Sequence, residues 1–373
     1  MRILILDTYY PKFLRALYDE NSHWAQLPYE QQWRRLMDEC FGTADFYSSN
    51  LATEGNEAHE IVVNCVPLQI QWATEHDTRL GKVHHWQLIR RRGWIPWLRK
   101  NVRPQWLLDV VAQQIKDYRP DVLYVQDING ISSSFLREMK SQVRLLVGQT
   151  AYQLDTRQDL GIYNLLLSSF PHYIDNFKQQ GLRAVYFRLG FEPKVLRCLK
   201  SEAKQNIVSF VGGLSTAHEE RLHFMEDVAR RVDLHVWGYG KEQLNENSPL
   251  KRLHHGEAWA LDMYRVLEHS AITLNNHLDA ARDNANNMRL YEATGVGALL
   301  LTDAKKNLAD MFEPGREVLA YHSAEECIEL IEHYLAHPAE REQVAQAGQA
   351  RTLREHTYSH RMQELSAILK PLL

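Results

Sequence analysis

Between Asn284 and Asp303 the chain reads N-A-N-N-M-R-L-Y-E-A-T-G-V-G-A-L-L-L-T-D, and few architectures accommodate such a run. Asn286 or Asn287 can cap a short helix, Met288 and Tyr291 give it an apolar face at i, i+3 spacing, and Gly295 offers a left-handed stop. Ala298 to Leu301 is then a short apolar run of the kind a parallel sheet buries on both faces, handing over to a loop at Thr302-Asp303. The polar residues gather at the helix start, beside Arg289, with Glu292 one turn further on. Free backbone N–H groups and the positive end of a helix dipole belong there, which suits a diphosphate followed by a ribose. A capped helix with a solvated Arg and Glu is the plainer alternative.

With 373 residues the chain is long enough for two domains of ordinary size. A net charge of -4 argues against a dedicated nucleic-acid binder. Cys40, Cys65, Cys198 and Cys327 lie far apart with no C-x-x-C pair, so neither a disulfide framework nor a zinc knuckle is expected. A reducing cytoplasm is the expected setting. A strand at Ile3 to Leu6 leaves no room for a signal peptide, and no apolar run approaches membrane-spanning length. Any membrane contact is therefore expected to be peripheral, at an inner face.

The first strand runs into Asp7-Thr8-Tyr9-Tyr10-Pro11, a polar and aromatic loop rather than a dinucleotide fingerprint. Helical pattern follows from Tyr29 to Cys40 and after Thr43, and Ile61 to Val66 reads as a second strand. From 78 to 108 no acid occurs, while Arg90, Arg91, Arg92, Arg99 and Arg103 are interleaved with Trp86, Trp94, Trp97 and Trp106. Tryptophan beside arginine suits an anionic interface, either lipid headgroups or a phosphorylated acceptor; the alternative is an insertion that packs its tryptophans and solvates its arginines. A helix from Trp106 to Tyr118 leads into strands at Val122 to Val125, Leu145 to Val147 and Leu165 to Leu167. Their exits carry Asp127, Gln149 and His172, and strand exits of an open parallel sheet are where ligands bind.

The polar stretch Lys200 to Gln205 reads as a linker. A second βα series then starts with Ile207 to Val211, exiting through Gly212-Gly213, where close backbone approach to a ligand is possible. Helix 217–230 follows, then Leu234 to Trp237 with exit Gly238-Tyr239-Gly240, a short strand at Leu253 to His255, helix 259–269, and Ile272 to Leu274 with exit Asn275-Asn276-His277. Beyond the Asn284 stretch come a strand at Val318 to Tyr321, a helix capped by Ser323, and two further helices, the last from Tyr358 to Leu369. The histidine pairs His84-His85, His254-His255 and His356/His360 lack companion ligands at metal spacing, and no Asp-x-Asp or G-x-S-x-G occurs, so no metal and no nucleophilic triad are expected.

The run N-N-M-R-L-Y-E-A-T-G-V-G-A-L-L-L-T-D, with F-V-G-G-L-S and W-G-Y-G before it and F-E-P-G-R-E-V, Y-L-A-H-P and L-R-E-H-T-Y-S-H-R-M after it, resembles the group-1 glycosyltransferases of the spore-maturation-protein-like type. The resemblance is strong over 207–365 and thinner before it, where R-P-D-V-L-Y-V-Q-D and V-G-Q-T-A match. It implies a GT-B fold: α/β, with two Rossmann-like domains whose parallel sheets face an interdomain cleft. Domains are then expected at 1–195 for an acceptor and 206–356 for a nucleotide-sugar donor, with 357–373 a helix packing back toward the first. Glu292 takes the place of the second glutamate of a Glu-x7-Glu motif, which accepts hydrogen bonds from ribose hydroxyls; Asn284 stands where the first would be, and Asp283 is one residue off. Asn286, Asn287, Met288 and Arg289 would lie at the diphosphate, Gly212 and Gly213 beside it, and Gly238, Tyr239, Gly240, Asn275 and His277 around the donor. The leaving group's charge would be stabilised by Arg289 and the helix start rather than by a metal. Asp127, with His172 behind it, is the candidate base for the acceptor hydroxyl if the reaction inverts. Tyr9, Arg90, Arg91, Arg92, Trp94 and Trp97 would meet the acceptor or an anionic membrane. The expected function is transfer of a sugar from a nucleoside diphosphate to a glycan, lipid-linked or protein hydroxyl, with no further cofactor and no nucleic acid. A nucleotide-sugar epimerase of similar build and a non-catalytic nucleotide-sugar scaffold are the alternatives.

Overall fold

The computed structural model describes residues 1–79, 84–91, 95–102, 104–200, 203–214 and 219–373, and only the backbone at 84–91, 95–102, 104 and 219. Its strands are β1 (Arg2–Asp7), β2 (Glu57–Val62), β3 (His84–Arg91), β4 (Ile95–Val102), β5 (Val122–Val125), β6 (Leu145–Thr150), β7 (Leu165–Ser168), β8 (Ala184–Tyr186), β9 (Gln205–Val211), β10 (Leu234–Trp237), β11 (Ser270–Asn275), β12 (Leu299–Asp303) and β13 (Leu319–Tyr321). One sheet has the order β2-β1-β5-β6-β7-β8 and a second the order β10-β9-β11-β12-β13. In the first, β1 pairs parallel with β2 and β5, and β5 with β6. In the second, every neighbouring pair is parallel. Strands such as β5 and β7 are buried along their whole length, as expected of parallel strands covered on both faces.

The second sheet shows how such a core holds. Val208, Phe210, Leu234, Val236, Ile272, Leu274, Leu299 and Leu301 are buried with Met225 and Val228 of helix Glu219–Arg231 and with Cys327, Ile328 and Ile331 of helix Ala324–Ala336. Each such side chain contributes about 1.5–3 kcal/mol on burial. The Ser323 hydroxyl accepts from the Glu326 N–H and caps helix Ala324–Ala336, as its sequence implies.

Several boundaries differ from expectation. Strand β2 ends at Val62, not Val66, because Cys65 turns the chain into helix Val66–Glu75 with Pro67 in its first turn. Pro11 likewise opens a helix, Pro11–Glu20, inside what reads as a loop. The strand expected at 253–255 is reduced to a single bridge between Val236 and His254. The basic segment carries an antiparallel hairpin, β3 with β4, apart from both parallel sheets. Arg92 and Trp94 lie outside the described residues, as do the side chains of Arg90, Arg91 and Trp97.

The chain divides into two compact units, 1–150 with 154–167 and 368–373, and 151–153 with 168–367. The boundary expected near 195 thus moves back to about 168. Residues 168–200 go with the second half because Phe191 bridges Thr357 and the Phe191 N–H donates to the His356 carbonyl at 2.8 Å. Among the described residues no helix is long and apolar enough to cross a membrane.

Candidate functional site

Because β9, β11 and β12 are adjacent and parallel, their carboxyl ends lie side by side, and the second unit gathers its polar side chains there. The helix between β11 and β12 runs from Arg289 to Gly295. Neither asparagine caps it: Met288 holds the cap position in helical geometry, with no side-chain bond. The Asn287 amide instead donates to Asn275 Oδ1 at 2.8 Å, and Asn275 Nδ2 donates to the Thr302 hydroxyl at 2.9 Å. Asn286 Nδ2 donates to the Ser169 hydroxyl at 3.1 Å. Gly295 is not the left-handed stop either. Gly297 takes that role at φ +80°, while a Cβ on Gly295 would fall 2.4 Å from the Phe191 ring.

Arg289 and Glu292 are not solvated. Their side chains are 14% and 7% exposed and form an ion pair at 2.8 Å. The other Arg289 terminal nitrogen donates to the Val211 carbonyl, the last of β9, at 3.1 Å, and Nε is buried with no partner. One guanidinium therefore joins the helix to the end of the neighbouring strand. Burial pushes the Glu292 carboxyl up, and the Arg289 charge pulls it part of the way back.

His277, at the exit of β11, is tied to Asp303 at the end of β12 twice: ring Nδ1 lies 2.7 Å and the backbone N–H nitrogen 3.0 Å from Oδ1. Burial raises the Asp303 carboxyl, but His277 and Lys305, whose Nζ is 3.1 Å away, outweigh it and hold it at about 2. The ionised carboxylate fixes the ring with hydrogen on Nδ1, and Nε2 is buried without a partner. Arg221 donates to the Asn276 carbonyl and, at 3.3 Å, to Asn276 Oδ1. Sequence reasoning missed Asp303 and Arg221 as site members. The strand-end position of Asp303 was the available signal; Arg221 lies inside a helix and carried none.

The glycine loops approach each other. Gly212 N–H donates to the Trp237 carbonyl at 2.9 Å and Leu214 N–H to the Tyr239 carbonyl at 2.8 Å. A Cβ on Gly238 would fall 1.9 Å from the Gly212 carbonyl oxygen, and one on Gly213 2.4 Å from the Tyr239 ring. The close backbone approach these glycines permit is, within the chain, an approach of the β9 exit to the β10 exit. Asn284 makes a turn bond to the Ala281 carbonyl, and Asp283 pairs with Lys306 at the surface. His172 hydrogen-bonds the Ala280 carbonyl, and its Nδ1 is buried without a partner; burial and the Arg282 charge push the imidazole below its usual value.

In the first unit the Asp127 carboxylate accepts from the Thr8 hydroxyl and, at 2.9 Å, from Gly130 N–H. Tyr9 is a correction. It is 3% exposed and packs on Phe13 and Phe41, so it belongs to the core rather than to a surface that meets an acceptor or lipid; its neighbour Tyr10 is the exposed ring. Among the described residues no group of three or more His, Cys, Asp or Glu is placed to hold a metal ion.

Residues 220–367 match a family model described as glycosyl transferase-like. No curated protein matches the chain in sequence. Among solved structures, the Anabaena protein Alr3699/HepE in complex with UDP and glucose is similar over 100% of both chains, with TM-score 0.59 and 13% identity. Sucrose-phosphate synthase from Thermosynechococcus elongatus is similar over 100% of this chain and 99% of that one, with TM-score 0.58 and 9% identity. A putative UDP-N-acetylglucosamine 2-epimerase from Listeria monocytogenes is similar over 99% and 96%, with TM-score 0.54 and 12% identity. Likeness at these identities is likeness of fold: two parallel-sheet, Rossmann-like α/β domains, as the GT-B resemblance implies.

Proposed function

We propose that this protein is a glycosyltransferase that moves a sugar from a nucleoside diphosphate to a hydroxyl of a glycan, lipid-linked precursor or protein, without a metal ion. The observation that carries this is the buried Arg289–Glu292 pair at the ends of β9, β11 and β12. In this reading the Glu292 carboxylate accepts from ribose hydroxyls, and Arg289 answers the charge that grows on the departing diphosphate. Asn286 and Asn287, whose side chains hold Ser169 and Asn275, act on the diphosphate through their backbone. Residues 220–367, which contain Arg289 and Glu292, are the part that matches the glycosyl transferase-like model, and the Anabaena protein of similar fold was solved with UDP and glucose. Closer kinship with the spore-maturation-protein-like group is part of this proposal, as is a cytoplasmic setting.

Incubation with UDP, GDP and dTDP sugars tests it. Slow release of free sugar and nucleoside diphosphate is the expected result. A new sugar isomer would favour an epimerase, the reading to which the Listeria structure lends weight. Tight binding without turnover would favour a scaffold, in keeping with Asn284 in place of a glutamate. The β3–β4 hairpin is assigned to the acceptor or to an anionic membrane. Reversing the charges of Arg90, Arg91 and Arg92 is then expected to lower sedimentation with anionic liposomes or transfer to the acceptor, and to leave nucleotide affinity unchanged. Loss of neither returns the segment to a packing role.

A further inference from the structure

Strand β10 is the outermost strand of the second sheet, so one of its edges has no named strand beside it. A strip of chain, 253–256, lies along that edge instead. Val236 N–H donates to the Leu253 carbonyl at 2.9 Å, His255 N–H to the Val236 carbonyl at 2.9 Å, and Gly238 N–H to the Gly256 carbonyl at 2.7 Å. A pairing this short is marginal unless side chains add to it.

Here two imidazoles add to it. His235 of β10 and His255 of the strip meet with Nδ1 2.9 Å from Nε2. Their ring centres are 5.1 Å apart and their planes differ by 3°, values that at this nitrogen separation require the rings to lie end to end in one plane. That is a straight N–H···N hydrogen bond. The Trp237 indole runs nearly parallel to both rings, 4.5 Å from that of His255 and 6.1 Å from that of His235. In sequence His255 adjoins His254, but His254 is engaged elsewhere, its Nδ1 accepting from Gly256 N–H at 3.1 Å.

A bond between two imidazoles depends on how many protons they hold. One ring must donate and the other must keep a lone pair. A first added proton settles on the free nitrogen of the donor ring and strengthens the contact by its charge. A second has only the accepting nitrogen left, and it sets two N–H groups and two positive charges against each other.

We propose that His235 and His255 form a proton-operated clasp, which holds strip 253–256 on the edge of β10 while the pair carries at most one added proton and releases it when both rings are charged. Resting on the glycosyltransferase reading above, the clasp makes donor binding sensitive to acid, because the strip anchors Gly238, whose loop closes on Gly212 at the expected nucleotide site. Release also loosens the chain leading to Trp259, whose indole lies 6.4 Å from the exposed Tyr239 ring and within 11° of parallel to it.

The surroundings set the direction. Partial burial pushes the His255 imidazole below its usual value, and the charges of His235, His254 and Lys241 push the same way. Partial burial and Lys241 likewise lower His254, whose protonation at Nδ1 would cost Gly256 N–H its acceptor; Glu242 opposes them. Arg252 and Asp233, just before the strip and just before β10, pair with each other at the surface. A base held below its unfolded value contributes stability that is complete above about 6.5 and is lost as pH falls through the folded value.

The test uses the full chain at about pH 7.5 and about pH 5, either side of the usual histidine value. Amide hydrogen exchange, corrected for the intrinsic effect of pH, is expected to show His255 and Gly238 losing protection by about 10-fold or more at the lower pH, with β11 unchanged. His255→Gln, whose amide does not titrate, is expected to keep its protection at both. Melting midpoints of His235→Ala, His255→Ala and the double variant form a cycle, with an expected coupling of about 1–3 °C at the higher pH and none at the lower. Protection and coupling that do not change with pH overturn the clasp. UDP, GDP and dTDP are the nucleotide probes: acid is expected to weaken binding more in the wild type than in His255→Gln, Glu292 contributing equally to both. An equal loss in the two proteins overturns the control of donor binding. A wild-type protein that binds none of the three removes the transferase reading, and with it that control, while the exchange data still decide the clasp.

Discussion

Glu292→Ala is expected to weaken nucleoside-diphosphate binding by about 10- to 100-fold, the equivalent of roughly 1.5–3 kcal/mol for hydrogen bonds to a charged acceptor. Glu292 is buried, so a ribose hydroxyl set against an alanine there would meet no replacement water. The substitution also strips Arg289 of its ion-pair partner, and leaving one member of a buried pair alone costs about 3–5 kcal/mol at the upper end. A lower melting temperature is therefore part of the same prediction. Glu292→Gln separates the two effects, because its amide oxygen can still accept from Arg289 at the 2.8 Å contact while the negative charge is removed. Stability should largely return in the glutamine variant and affinity only in part. The raised carboxyl adds a pH arm: affinity should fall as acidification protonates Glu292, and this loss should begin above the usual glutamate value. Unchanged affinity in a folded alanine variant would remove Glu292 from the nucleotide site.

Gly240→Ala should be the most damaging single methyl group in the second unit. Gly240 sits at φ +100°, and a Cβ there would lie 1.7 Å from the Leu214 carbonyl oxygen, backbone that cannot swing aside as a side chain would. Overpacking of this kind costs about 1–3 kcal/mol, and a left-handed non-glycine residue adds about 1–2 kcal/mol. Gly256 is the matched control, with φ +92° but nothing within 4 Å of its would-be Cβ. Gly256→Ala should carry only the backbone part. The difference between the two denaturation midpoints then measures how tightly the β9 and β10 exits interlock, and equal midpoints would contradict that contact.

The alternation of apolar runs with polar exits was legible because it is a local pattern. Strands β1, β5, β9, β10, β11 and β12 all fall within a residue or two of where their hydrophobic runs place them. What escaped is whatever depends on distant partners. Asn286 and Asn287 have ideal cap chemistry, yet Ser169 and Asn275 claim their amides, and no local signal announces that competition. Gly295 looks like a helix stop and is instead a seat for Phe191, more than a hundred residues earlier. The same contact explains why the unit boundary is not at the polar linker: the composition changes near Lys200, but the packing changes near Ser168.

The lone Arg289 Nε has a thermodynamic corollary. Stripping that N–H of water is a cost met once, when the chain folds, so an oxyanion arriving later gains a charged hydrogen bond without a desolvation toll of its own. Binding at this point should accordingly show a favourable enthalpy, measurable by calorimetry.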